Sequence, residues 1–303
     1  MSTTRPFLDP KVLARLLPLP LHARHAMIGS VSGRHRSPVR GSSIEFAQYR
    51  KYVPGDDTRR LDWRMWGRSD RYYIKEFEAD TNLRVCLIVD ASGSMSFKHS
   101  PQPNDTRLDF AKRIAGSLAY LGAEQGDAVG LWSMNAKQQS EIPAKRGASH
   151  LGLVLDALAE LKANGETRIV ESLHAAAEKI KQRALVVIIS DLFVQPADLK
   201  PALQHLRFKK HDVAVFHLLD QKEIDFDFDR PARFVDLEGN EPVLADPSDI
   251  ARQYREAVRQ YLHDIDDLVR TTGIDYHRVK LHEKYDDVLA RFLLGRTPKK
   301  GGR

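Results

Sequence analysis

"VCLIVDASGSM", residues 85–95, decides the fold. Five apolar residues, Val85 to Val89, read as a buried strand. An acid ends the run at Asp90, and hydroxyls follow at alternate positions, Ser92 and Ser94, with small residues between them. A carboxylate at the end of a buried strand costs free energy unless something compensates it. The three side chains could cap the free amides of the following turn. They could instead converge on a cation.

Outward from this stretch, strand and helix alternate. "TRLDFAKRIAGSLAYLGAEQG" places Leu108, Ala111, Ile114, Ala115, Leu118 and Leu121 at helical spacing, and Gly126 can stop the helix. Residues 127–134 read as a second strand. "SEIPAKRG" reads as a short third one, moved to an edge by Pro143. Helices follow in "HLGLVLDALAELKANG" and "ESLHAAAEKIKQ", then the apolar strand 184–190. "PADLKPALQHLRF" restarts helix with Pro196 in its first turn. Residues 211–219 form a strand, and "ARFVDL" is expected to be the last one. A long amphipathic helix, capped by Ser248 or Asp249, closes at Gly273, and "EKYDDVLARFLLG" is a final helix. This alternation predicts a doubly wound, mostly parallel α/β sheet of about six strands, with one antiparallel at an edge. Ligands of such sheets bind beyond the carboxyl ends of the strands, where strand order reverses. Asp90, Ser92 and Ser94 fall at such a strand end.

The bulk properties narrow the classes. The chain has 303 residues, 42% hydrophobic and 29% charged, as expected of a globular protein. Its one cysteine, Cys86, allows no internal disulfide and no cysteine-rich metal site. No run approaches the ~20 apolar residues of a membrane span, and the start lacks a signal-peptide pattern, so a cytoplasmic location is expected. The net charge of +6 comes from residues 1–44, which carry seven Lys/Arg and one acid. That is a basic leading segment on a neutral body, and DNA binding is not expected. Neither a Gly-x-Gly-x-x-Gly motif nor a Walker loop is present.

The cation reading rests on donor chemistry. Mg²⁺ takes six oxygens and keeps several waters. Ser92 and Ser94 offer two hydroxyls with Asp90 behind them. Thr167, ahead of a helix in "NGETRIVESL", and Asp191, at the end of "ALVVIISD", supply two more oxygens from strand-end or helix-start positions. Two acids would balance the ion. Neutral hydroxyls would leave it electrophilic toward one more carboxylate from outside.

The set Asp90-x-Ser92-x-Ser94, Thr167 and Asp191 resembles the metal-ion-dependent adhesion site of von Willebrand factor A domains. "GRHRSPVRGSSIEFAQYRKYVPGDDTRRLDWRMWGRSDRYYIKEFE", leading into "LIVDASGSM", resembles the bacterial domain-of-unknown-function fifty-eight family, with Ser43 where a glycine is expected. The resemblance implies an N-terminal segment at 1–83 and a von Willebrand A-like, Rossmann-like domain at 84–280, and residues 281–303 read as a C-terminal helix and basic tail. It also implies a metal-dependent protein-binding module, holding Mg²⁺ with Mn²⁺ or Ca²⁺ as substitutes, that works with MoxR-type AAA+ ATPases and is not an enzyme. The competing class is a Mg²⁺-dependent phosphohydrolase. That chemistry needs a second acid two residues after Asp90, where this chain has Ser92.

Two stretches remain. "YVPGDDTRRLDW" reads as a Pro54-Gly55 turn locked by Arg–Asp pairs, with Trp63 and Trp66 expected to be buried against the main domain. "EIDFDFD" (223–229) alternates acids like the start of a calcium loop but lacks the required glycine.

Overall fold

The computed structural model describes residues 5–24, 45–51, 62–69, 71–78, 83–98, 105–134, 141–166, 168–226, 232–235, 242–245 and 247–297. In chain order its elements are α1 (Pro10–Leu16), β1 (Glu45–Lys51), α2 (Trp63–Ser69), β2 (Tyr73–Glu78), β3 (Arg84–Asp90), α3 (Arg107–Glu124), β4 (Ala128–Met134) and β5 (Glu141–Lys145). There follow α4 (Ala148–Glu160), α5 (Ile169–Lys179), β6 (Leu185–Ser190), α6 (Pro196–Phe208), β7 (Asp212–Leu219), α7 (Gln221–Asp225), β8 (Ala232–Val235), β9 (Pro242–Ala245), α8 (Pro247–Thr272), β10 (Asp275–Lys280) and α9 (Tyr285–Arg296).

The main sheet has six strands in the order β10-β7-β6-β3-β4-β5. All neighbours pair in parallel except β4 and the edge strand β5. This is the doubly wound, mostly parallel α/β sheet that the strand–helix alternation predicts. β3 is central because its side chains are apolar on both faces. Val85, Leu87 and Val89 enter one core with residues of α1, α3, α4 and α9. Cys86 and Ile88 enter the other with residues of α5, α6 and α8. The strand order reverses at β3: β4 lies on one side and β6 on the other. The carboxyl ends of β3 and β6 therefore flank the switch point, where a crevice forms outside the sheet.

Local signals set the helix ends. Asp9 caps α1, accepting from the Lys11 amide at 2.8 Å, and Pro10 opens the helix. Thr106 and Asp109 form a reciprocal capping box at the start of α3. Gly273 takes a φ of +66° as α8 ends, a conformation favoured by glycine. Helix α8 starts at Pro247, so Ser248 and Asp249 lie inside its first turn rather than at its cap.

Two expectations need correction. The last strand of the main sheet is β10, not "ARFVDL": β8 pairs with β9 in a separate two-stranded sheet. β10, "DYHRVK", occupies an edge and carries only Asp275 and Val279 as buried residues, so its apolar signal is weak. The tryptophans are also not buried. Trp63 is 60% and Trp66 39% exposed, and Tyr72 is 48% exposed. They satisfy one another instead: Trp63 meets Trp66 edge-on with centroids 6.4 Å apart, and Trp66 stacks on Tyr72 at 6.1 Å. Asp62 caps α2 beneath them, accepting from the Met65 amide at 3.2 Å. The Pro54-Gly55 turn lies outside the described residues.

The edge strand makes a test of close packing. A Cβ on Gly130 would lie 2.7 Å from both Ala144 N and Ile142 O, backbone atoms of β5. The β4–β5 register is irregular at this point. Gly130→Ala is expected to cost about 1–3 kcal/mol, as overpacking does, and to speed amide exchange in residues 141–145. A denaturation midpoint matching wild type would show that the edge accommodates the methyl.

Candidate metal centre

At the end of β3 the chain turns sharply and is pinned on two sides. The Ala91 amide donates to Met134 O at 2.9 Å, tying the turn to the end of β4. Gly93 N donates to Gly165 O at 2.8 Å, and Asn164 N donates to Ala91 O at 2.9 Å. The loop preceding α5 is thereby stitched to the Asp90–Ser94 turn. A single 3₁₀ turn, Gly93–Ser96, follows.

Within this turn Asp90 and Ser92 are buried and Ser94 is half-buried, so the cluster opens to solvent on the Ser94 side. Asp90 Oδ1 accepts from the Ser92 amide at 2.9 Å, and Oδ2 accepts from the Ser190 hydroxyl at 2.6 Å. The Ser92 and Ser94 hydroxyl oxygens lie 3.0 Å apart and face each other. Capping accounts for one oxygen of Asp90. It accounts for neither hydroxyl, since Ser92 makes no capping bond with its side chain.

Asp191 directly follows β6, which pairs with β3. Burial and the Asp191 charge push the Asp90 carboxyl up from its ordinary value to about 7, against the hydrogen bonds from Ser190 and Ser92 that favour the ionised form. Among the predicted donors, Asp90, Ser92 and Ser94 are brought together, and Asp191 stands close enough to repel Asp90. Thr167 lies outside the described residues, two positions after Gly165.

Asp191 is itself engaged. Its Oδ2 is ion-paired with Arg107 Nη1, and its Oδ1 accepts from the Phe193 amide at 3.3 Å. Arg107, the first residue of α3, is almost fully buried; its other terminal nitrogen pairs with Glu223 of α7, and its guanidinium lies 5.2 Å from the centre of the Phe97 ring. Neither Arg107 nor Glu223 emerged as a site residue from sequence.

The next residue, Leu192, is buried with a φ of +52°, a left-handed conformation that a leucine adopts only under constraint. Its amide donates to Ser190 Oγ at 2.8 Å, and its carbonyl accepts from the Tyr261 hydroxyl. The kink turns Phe193 outward beside the site, where it is 75% exposed. His217, on β7 opposite Ser190, is buried and bonded through Nδ1 to the Tyr276 hydroxyl at 2.7 Å. Burial holds it down at about 4, so it is a neutral packing residue near neutral pH.

The donor set suits a hard divalent cation. It is all oxygen, the Asp90 carboxyl is buried beside a second acid, and of the two facing hydroxyls Ser92 is buried while Ser94 is half-buried. Among the described residues no three His, Cys, Asp or Glu side chains form a cluster able to hold an ion.

Known proteins resemble this chain. Over 220 residues the chain is 27% identical to the uncharacterized protein Rv1480 of Mycobacterium tuberculosis (strain ATCC 25618 / H37Rv), covering 72% of this chain and 68% of that one. The crystal structure of the conserved hypothetical protein BatB from Bacteroides thetaiotaomicron aligns with a TM-score of 0.44 at 15% identity, over 71% of this chain and 98% of that one. That of the SpRpn10 VWA domain aligns with a TM-score of 0.42 at 14% identity, over 72% and 99%. The model of one family, described as "Protein of unknown function DUF58", matches residues 48–263, and the chain belongs to that family.

Proposed function

We propose that this protein is a metal-dependent protein-interaction module. Asp90, Ser92 and Ser94 would hold a Mg²⁺ ion, with Thr167 as a further oxygen donor and Asp191 adding negative charge from behind. The observation that carries this reading is the turn at the sheet's switch point, where the buried Asp90 carboxyl lies behind Ser92 and Ser94 with their hydroxyl oxygens 3.0 Å apart. A buried acid beside a second acid gains from a cation that restores its charged form. When bound, the ion supplies an electrophilic position that an Asp or Glu of a partner can fill. The chain's own residues orient the donors, keep the carboxylate out of bulk water and present Phe193 next to the opening as an apolar contact. A MoxR-type AAA+ ATPase is the partner that family membership favours.

A pull-down from cell extract, with and without chelator, tests the proposal. Partners are expected to be captured with Mg²⁺, lost with chelator and lost with Asp90→Ala. Ser92→Ala should weaken capture less, since water can replace a neutral hydroxyl. Equal recovery in all conditions would separate the binding surface from the metal. Turnover of a generic phosphate ester that disappears in Asp90→Ala would instead support the phosphohydrolase alternative.

A further inference from the structure

We propose that Arg107 is a resident counter-cation that holds the divalent-ion affinity of this site low, and that Glu223 sets how strongly it does so. The inference rests on the metal reading of the Asp90 cluster and assigns to it a regulator that the adhesion-site pattern does not contain.

The position of Arg107 needs explaining. A cation at the first residue of a helix faces the positive end of the helix dipole, which opposes it. This one is also removed from water, being 2% exposed. Local propensity therefore disfavours it, and its placement is due to its carboxylate partners. The guanidinium fork is divided between two acids instead of gripping one: Nη1 takes Asp191 and Nη2 takes Glu223. A divided fork gives up the two-point geometry that makes arginine–carboxylate pairs tight. Glu223 is shared as well, since the same Oε2 accepts from the Asp220 amide at 3.2 Å within the α7 capping box.

The charges then form a chain from the surface inward. Glu223, the more exposed end, draws on Arg107. Arg107 draws on Asp191, and Asp191 repels Asp90. A divalent ion arriving at Asp90 meets an Asp191 whose charge is partly offset by the arginine. Removing the arginine returns that charge to the site. Removing the Glu223 charge has the opposite effect, because Arg107 is then left wholly to Asp191. Opposite signs from two members of one ion-pair network are the signature of this arrangement. A purely structural network would lose cation affinity with either change.

The test is calorimetric titration of Mg²⁺, and separately Mn²⁺, into metal-free full-length protein, for wild type, Arg107→Gln, Glu223→Gln and Asp90→Asn. Arg107→Gln is expected to bind at least ~10-fold more tightly than wild type, equivalent to about 1.4 kcal/mol. Glu223→Gln should bind ~3-fold or more weakly, and Asp90→Asn should not bind. Wild-type affinity or weaker in folded Arg107→Gln overturns the inference while leaving the metal reading intact. If circular dichroism shows that Arg107→Gln does not fold, Glu223→Gln decides: affinity equal to or tighter than wild type overturns it. Absence of binding in every protein overturns the metal reading and this inference together.

Discussion

Arg296→Met is expected to lower folding stability by about 3–5 kcal/mol, the range for breaking a buried charge pair from one side. Arg296 is the last residue of α9, and its side chain is fully buried. Nη1 donates to Asp212 Oδ2 at 2.8 Å and to His22 O at 3.1 Å. Nη2 is ion-paired with Asp275 Oδ2 at 2.8 Å, and the guanidinium lies 4.8 Å from the centre of the Phe292 ring. Asp212 and Asp275 begin β7 and β10, at the end of the sheet opposite the candidate metal centre. One arginine thus locks the C-terminal helix, the N-terminal segment and two strands. Methionine keeps much of the volume but leaves both acids short of a counter-charge. Arg24 still reaches them: its amide donates to Asp212 at 2.7 Å, and its side chain pairs with Asp275 at 2.7 Å.

The pH dependence separates charge from packing. Burial pushes the Asp275 carboxyl up, but the His277 hydrogen bond and the charges of Arg296, His277 and Arg24 outweigh it, and the net shift is downward. A carboxyl with a depressed folded value contributes stability above its unfolded value, and that contribution is lost as pH falls through the folded one. The wild-type advantage over Arg296→Met should therefore shrink from about pH 4 downward. Urea denaturation at pH 7 and pH 3.5 measures it. A loss below about 1 kcal/mol at pH 7 would show that the two aspartates find other compensation.

How much was legible in the sequence follows from which interactions are local. β3 and Asp90 were readable because an apolar run and its terminating acid are contiguous. The switch point was readable because strand–helix alternation fixes parallel topology. Arg107 was not, because its partners lie 84 and 116 residues away and no periodicity links them. A weak signal existed: an arginine just after the Thr106 cap, where acids are favoured. "EIDFDFD" raised the question of calcium, whereas its first residue, Glu223, serves as a cap and an arginine partner. β10 escaped notice because an edge strand with two buried positions carries little of the pattern that marks a central one. Trp63 and Trp66 were misjudged because aromatic composition implies contact, and contact with other aromatics served as well as burial in the core.

Asp90→Asn should change stability in opposite directions with and without Mg²⁺. In chelator, a carboxyl held at about 7 when folded binds its proton more tightly folded than unfolded. Stability then falls as pH rises from about 4 to about 7 and levels off above that, by an amount on the order of several kcal/mol. Asparagine carries no charge and should remove this slope. At pH 8 in chelator the variant is therefore expected to be more stable than wild type by about 1–3 kcal/mol. The gain falls short of the full electrostatic cost because the hydrogen bonds are not equivalent. The Asn oxygen can still accept from the Ser92 amide. Its NH₂, however, faces a Ser190 hydroxyl that now donates to Asp90 and accepts from the Leu192 amide, so that hydroxyl must find another acceptor. With Mg²⁺ at about 100 times its dissociation constant, wild type should gain about 2.7 kcal/mol and the variant nothing, which narrows or reverses the order. Thermal or urea denaturation at pH 5 and pH 8, in chelator and in Mg²⁺, measures all four states. A variant less stable than wild type in chelator at pH 8 would mean that the ionised Asp90 supports the fold through its hydrogen bonds, and that its repulsion from Asp191 is already offset without any cation.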